Sequence, residues 1–324
     1  MKTKTLKLLG CALLSGLFAF VSQAQSVSST PVGYVTQTIN AGTGTGRVLT
    51  AFALPLYSPA VSGSVSSIAS NVITSDGASF GDLAQAATPY SLKVVSGTLA
   101  GKYFPITANS ATTVTVTGDL TGLAANDSYE VVEVDTLSSL FGSPSDGVIY
   151  GGAKDDADLI WVLSSTGTWS KYYHTGTSWV RDARGNPVSD NLAIQPDSGI
   201  LIQRINANAS EFVITGTVPS TQSVIGLNSV GLSVWANTFP VDITLSETNI
   251  QNANEFTAND IVYSLSATGT WDKYFHDGTN WRKQARGNPI SDDSVISSGS
   301  AVLISKASTA TTDSAVSTSL PYSL

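Results

Sequence analysis

The chain has 324 residues, with 24 Asp and Glu against 16 Lys and Arg, a net charge of −8 and only 12% charged residues. No Lys/Arg run or stripe is present to neutralise phosphates, which excludes nucleic acid as an expected partner. The one Cys and the one Met are Cys11 and Met1, so the chain beyond them offers no disulfide, no thiolate nucleophile and no cysteine metal ligand.

Residues 1–24 read as a secretory signal peptide. Lys2, Lys4 and Lys7 form a basic start, "LLGCALLSGLFAFV" (Leu8 to Val21) is an apolar run, and Ser22 and Ala24 fit cleavage before Gln25. The run falls short of the roughly 20 residues that a permanent spanning helix needs. "LLGC" (Leu8 to Cys11) resembles a lipoprotein processing box, but most of the apolar run follows Cys11, which favours ordinary cleavage near Ala24. The expectation is an exported protein, secreted or at the cell surface, with no transmembrane segment in the mature chain.

A first β-module is expected over 25–204. "GTGTG" (Gly42 to Gly46) lacks the spacing and following helix of a phosphate loop and reads as a flexible hairpin tip. "VLTAFALPLYSP" (Val48 to Pro59) is an apolar strand. An inserted β-meander of about four strands is expected at about 74–135, from "SLKVVSG", "GKYFPITA", "TTVTVTG" and "DSYEVVEV", each set off by turn residues. "SFGDLAQAA" (Ser79 to Ala87) reads as a short helix capped by Ser79, and "TLSSLFG" (Thr136 to Gly142) as another. "GASFG" (Gly77 to Gly81) matches G-x-S-x-G formally, but that motif needs a strand–turn–helix elbow in an α/β sheet. Helices and strands do not alternate here, so Ser79 is not read as catalytic.

Asp155, Asp156 and Asp158 in "KDDAD" read as a solvated loop. A weak calcium site of Asp side chains and carbonyls is the milder alternative, and a glycosidase pair would need two carboxylates about 5–10 Å apart in a cleft. No cofactor is predicted.

Asp158 to Arg204 aligns with Asp260 to Lys306 at a constant offset of 102 residues, without a gap and with about half the positions identical. "TGTWSKYYHTGTSWVRDARGNPVSD" answers "TGTWDKYFHDGTNWRKQARGNPISD", and "SGILIQR" answers "SAVLISK". "TLSSL" and "TLSET" open both stretches, and "VLTAFALPLYSP" loosely matches "GLSVWANTFPVD" (Gly231 to Asp242). A second β-module is therefore expected over 205–306, followed at 307–324 by a Ser/Thr-rich tail in which "LPYSL" docks as a final strand. The fold class is all-β: two related tandem modules, as sandwiches or partly open barrels, the first carrying the meander.

Within each repeat, alternation places Trp169, Lys171 and Tyr173 on one face of a strand and Ser170, Tyr172 and His174 on the other. "HTGT" and "HDGT" supply turns, Trp179 lies on the return strand, and "ARGNP" ends the hairpin. Tyr173 becomes Phe275 and Thr175 becomes Asp277, so neither a phenol nor an acidic partner is shared by the copies. His174 and His276 sit in no HxxxH or His/Asp cluster, which favours local hydrogen bonding over metal binding. The candidate ligand-binding residues are Trp169, Tyr172, His174 and Trp179, with Trp271, Tyr274, His276 and Trp281. They would form duplicated sugar-stacking platforms with avidity. The competing and preferred reading makes them hairpin core.

Four segments together resemble an uncharacterised family of secreted proteins known mainly from Verrucomicrobia. They are "TPVGYVTQTI", "SGTLAGKYFPITANSATTVTVTGDLTGLAANDSYEVV", "WSKYYHTGTSW" and "SGILIQR". The resemblance implies export and β-structure and carries no site residue. The expected function is a non-enzymatic secreted or cell-surface β-protein with a structural, adhesive or matrix role, the alternative being a carbohydrate-binding module and, remotely, a secreted hydrolase. Polysaccharide or cell-envelope components are the expected partners, and self-association is compatible with the pattern.

Overall fold

The computed structural model describes residues 31–324 apart from 86, 267 and 308–312. The signal-peptide and lipoprotein-box readings fall on 1–24 and lie outside the described residues. Two strands lead, β1 (Val32–Ile39) and β2 (Val48–Ala53). A separate sheet follows from β3 (Ser58–Ser64), β4 (Ser67–Ala69), β5 (Val72–Thr74), β6 (Tyr90–Val94), β7 (Tyr103–Asn109), β8 (Thr113–Val116) and β9 (Ser128–Glu133). The chain returns through β10 (Asp135–Thr136), helix α1 (Leu137–Phe141), β11 (Leu159–Leu163) and β12 (Trp169–His174). This first set closes with β13 (Trp179–Arg181), β14 (Ala193–Ile194), β15 (Gly199–Arg204) and β16 (Ser210–Thr217).

The second set begins with β17 (Ser223–Leu227), β18 (Gly231–Ala236), β19 (Ile243–Thr244), β20 (Ile261–Leu265) and β21 (Trp271–His276). It ends with β22 (Trp281–Lys283), β23 (Val295–Ile296), β24 (Ala301–Lys306) and β25 (Ser314–Thr318). The protein is all-β, and none of the sheets closes into a barrel among the described residues.

Two five-stranded sheets carry the frame. The first runs β13-β12-β11-β15-β2, and the second has the same order, β22-β21-β20-β24-β18. Each is accompanied by a two-stranded ribbon, β1–β16 in one case and β17–β25 in the other, and by a short pair, β10–β14 or β19–β23. Alternation along β15 explains the packing. Ile200 and Ile202 join Phe52, Ile160 and Trp179 under the β1–β16 ribbon, whereas Leu201 turns to the opposite face. There Ala51, Leu201 and Trp169 meet Ala301, Leu303 and Trp271 of the other sheet, so the two sheets pack face to face across a shared seam. Central strands buried on both faces read as continuous apolar runs, as "ILI" and "AVLI" do.

The inserted sheet has its own core around Leu92, Val114, Tyr129 and Val131. It holds seven strands in the order β3-β9-β6-β7-β8-β5-β4 and starts at Ser58, ahead of the expected 74. β3 and β4 carry mostly Ser, Gly and Ala on a half-exposed surface, and β5 spans only three residues, which hid their alternation. "TLSSLFG" forms α1, capped by Thr136. "SFGDLAQAA" does not form the expected helix. The Leu83 N–H donates instead to the Asn109 side chain at 2.9 Å, which holds an irregular loop against β7.

The expected 204/205 boundary and the tail need correction. β16 pairs with β1 along its whole length, so the first set runs to Thr217. β25 pairs with β17, so the tail contains the closing strand of the second set at Ser314–Thr318 and not at "LPYSL". "LPYSL" docks through the Tyr322 hydroxyl, which donates to the Pro219 carbonyl at 2.9 Å. "GTGTG" is also no loose tip: the Gly42 and Gly44 N–H groups donate to the carbonyls of Asn206 and Ile205.

Candidate functional site

The aromatic hairpins are built identically in the two sets. β12 pairs with β13 and β21 with β22, so that His174 lies opposite Trp179 and His276 opposite Trp281. Each imidazole meets its indole edge to face, at 5.5 and 5.3 Å between ring centres. Each Nδ1 accepts the N–H of the glycine two residues on, Gly176 at 3.0 Å and Gly278 at 3.3 Å. That contact requires an unprotonated Nδ1, and burial pushes the His174 pKa below its ordinary value.

The turn residue that differs does the same work in both copies. Thr175 Oγ1 accepts the Thr177 and Ser178 N–H groups, and Asp277 Oδ1 accepts those of Thr279 and Asn280. These bonds and the ion pair with Arg282 hold the Asp277 carboxyl well below the usual range. After the return strand, Asp190 and Asp292 each accept the backbone N–H of the hairpin tryptophan, at 2.7 and 2.6 Å. Gly185 and Asn186, like Gly287 and Asn288, have positive φ, which is why Gly and Asn stand in "ARGNP".

The eight candidate residues do not form a common exposed platform. Tyr172, His174 and Trp179 face the core of the first set, and Trp179 is 0% exposed. Tyr274 and Trp281 face the core of the second, and Trp281 is 1% exposed. His276 is half-buried beside Trp281. Trp169 and Trp271 point to the opposite face and are half-buried in the seam, edge-on to Trp161 and Tyr263. The ligand-platform expectation is corrected on this ground: period-2 alternation separates the rings onto two faces, and both faces are packed.

The acidic loop is likewise engaged. Arg47 donates to the carbonyls of Lys154, Asp155 and Ala157 at 2.7–2.9 Å. A guanidinium thus takes the carbonyls that a calcium ion would use. Asp158 is fully buried and pairs through Oδ2 with Arg204 Nε and Nη2, at 3.0 and 2.8 Å. Its counterpart Asp260 instead accepts the N–H groups of Thr257 and Ala307, while Lys306 donates to the Asn254 carbonyl. Both pairs tie the start of the sheet to its last long strand. Ser79 is exposed in the loop between β5 and β6, and among the described residues no helix lies between it and β6.

Residue-type patterns did not single out Lys93. It is 2% exposed, its Nζ has no hydrogen-bond partner among the described residues, and it stands 3.7 Å from the centre of the Tyr57 ring. Burial lowers its pKa to about 8. Alternation in "SLKVV" places Lys93 on the face opposite Leu92 and Val94, and the Tyr57 and Tyr103 rings that cover that face come from other segments. Among the described residues no helix is long and apolar enough to cross a membrane, and no group of three or more His, Cys, Asp or Glu converges.

No protein family, curated protein or solved structure matches the chain.

Proposed function

We propose that the chain is an exported, non-enzymatic β-protein with a structural, adhesive or matrix role, acting through its outer surface. One observation carries this reading: the chemistry-bearing residues of the duplicated hairpins are spent on internal packing and turn hydrogen bonds. Trp179 and Trp281 are enclosed, each histidine nitrogen that faces the turn is occupied, and Asp158 is held by Arg204. Export rests on the basic start, apolar run and small-residue site of residues 1–24. Membership of the Verrucomicrobia family is proposed on the four quoted segments alone. The face-to-face union of two similarly ordered sheets supports a rigid building element, since a seam of Leu, Ala and Trp side chains favours one fixed arrangement.

The test is retention of the purified chain on isolated cell-envelope fractions and insoluble polysaccharides, combined with hydrolase assays. Retention that soluble sugars do not compete away, or assembly into sheets or filaments, is the expected outcome. Catalytic turnover, or binding abolished by a soluble oligosaccharide, would overturn the proposal.

A further inference from the structure

A cleft of about 460 Å³ opens where the inserted sheet meets the first five-stranded sheet. Leu54, Leu56 and Leu140 are among its apolar lining, Glu133 and Asp135 bring carboxylates, and Phe212 to Thr215 of β16 run along it. The phase of the β1–β16 ladder decides what that strand presents. Thr217 exchanges both backbone bonds with Tyr57, on the side away from β1, and the Val218 N–H donates to Pro31. In an antiparallel ladder the outward-bonding residues recur every second position. The N–H and C=O groups of Thr215 and Val213 therefore also point away from β1, into the cleft. Among the described residues no other strand of the sheets pairs with β16 there.

The second set shows what a covered edge looks like. On β25, Asn249 Nδ2 donates to the Ser317 carbonyl at 2.9 Å, and Thr318 Oγ1 donates to the Thr248 carbonyl at 2.7 Å. Thr136 and Thr244 hold equivalent places, opposite Ala193 and Val295. Counting on from them, Leu140 and Phe141 stand where Thr248 and Asn249 stand. The first set thus has Phe141 in place of the Asn249 amide that engages the edge, and Leu140 in place of Thr248, and leaves a strand edge beside an apolar floor. An open edge is ordinarily blunted or covered.

We propose that this cleft is a strand-addition groove for an extended, basic segment of a partner polypeptide. The segment pairs with the outer edge of β16 and lays alternate apolar side chains on Leu54, Leu56 and Leu140. Its intervening Lys or Arg side chains meet Glu133 and Asp135, with Glu211 exposed further along β16. Charge complementarity selects that partner over a second copy of this chain, which carries a net charge of −8. The proposal goes beyond the role argued above and uses none of the hairpin residues.

The experiment titrates the full chain with two end-blocked hexapeptides, one alternating Val and Lys and one alternating Val and Glu, by fluorescence anisotropy. The Val/Lys peptide is expected to bind and the Val/Glu peptide not to. Val213→Pro removes one outward N–H without touching the bonds to β1 and should weaken binding about tenfold. Glu133→Lys, at an exposed position that does not endanger folding, should weaken it by a similar factor and reduce its salt dependence. Equal affinity for both peptides, or Val/Lys binding unchanged in Glu133→Lys, overturns the proposal. Self-association of the wild type that Val213→Pro abolishes would also overturn it, in favour of a second copy as occupant.

Discussion

Gly199 and Ala301, the same position in the two five-stranded sheets, lie against each other across the seam: a Cβ on Gly199 would stand 2.6 Å from that of Ala301 and 2.5 Å from Val234 Cγ1. The hairpin tips show the same reciprocity. Gly167 of the β11–β12 turn lies over Leu232, and Gly269 of the β20–β21 turn lies over Leu49. The closeness at Gly199 makes a prediction. Gly199→Ala should destabilise the protein by about 1–3 kcal/mol through overpacking, and Ala301→Gly by less than that. Urea unfolding of both variants checks the order.

The Asp158–Arg204 pair predicts a different pattern. Asp158→Asn leaves a fully buried guanidinium without its counter-charge and should cost about 3–5 kcal/mol. The double variant Asp158→Leu with Arg204→Met should regain most of that loss, because the apolar replacement removes both desolvation costs. Denaturant melts of the two variants separate pairing from packing.

Lys93 should be a net cost to the fold. Its folded pKa, near 8, lies below the ordinary lysine value of about 10.4. The unfolded chain therefore binds more protons between those values, and stability rises with pH across that window. At pH 7 the penalty is fully present, so Lys93→Met should stabilise by about 2–3 kcal/mol and flatten the alkaline rise. The contact with Tyr57 tempers the gain.

His174 gives a pH dependence of the same sign at lower pH. Burial lowers its pKa, with Asp190 acting weakly the other way. A depressed histidine contributes stability above its unfolded value of about 6.5, and that stability is lost as pH falls through the folded value. His174→Asn keeps an acceptor for the Gly176 N–H but cannot titrate. It should show a shallower decline in urea midpoint than the wild type between about pH 7.5 and pH 5.5.

The all-β fold and the aromatic hairpins were legible because short-range pattern governs both. Alternation in "WSKYYH" and Gly-Asn-Pro after the return strand specify a hairpin wherever they occur. The gapless offset also revealed that Asp158 and Asp260 are one position. What stayed hidden depends on pairing between distant segments. β16 and β25 close ladders with β1 and β17, and the sequence assigned β16 to the start of the second module and β25 to a Ser/Thr-rich tail. The short strands from Ser58 to Thr74 take their place from the sheet they join, being too short or too rich in small residues to mark a strand on their own. Ring exposure was undecidable from sequence because it depends on what covers each face. The ribbons cover one face and the opposite sheet covers the other.

The measurement that tests the central claim most directly is the unfolding free energy of Trp281→Ala, taken beside its polysaccharide retention. An internal ring predicts a loss of about 3–5 kcal/mol and no specific loss of retention in the variant that remains folded. A variant as stable as the wild type that no longer binds a polysaccharide would contradict the account, because Trp281 would then be a ligand surface and not part of the core.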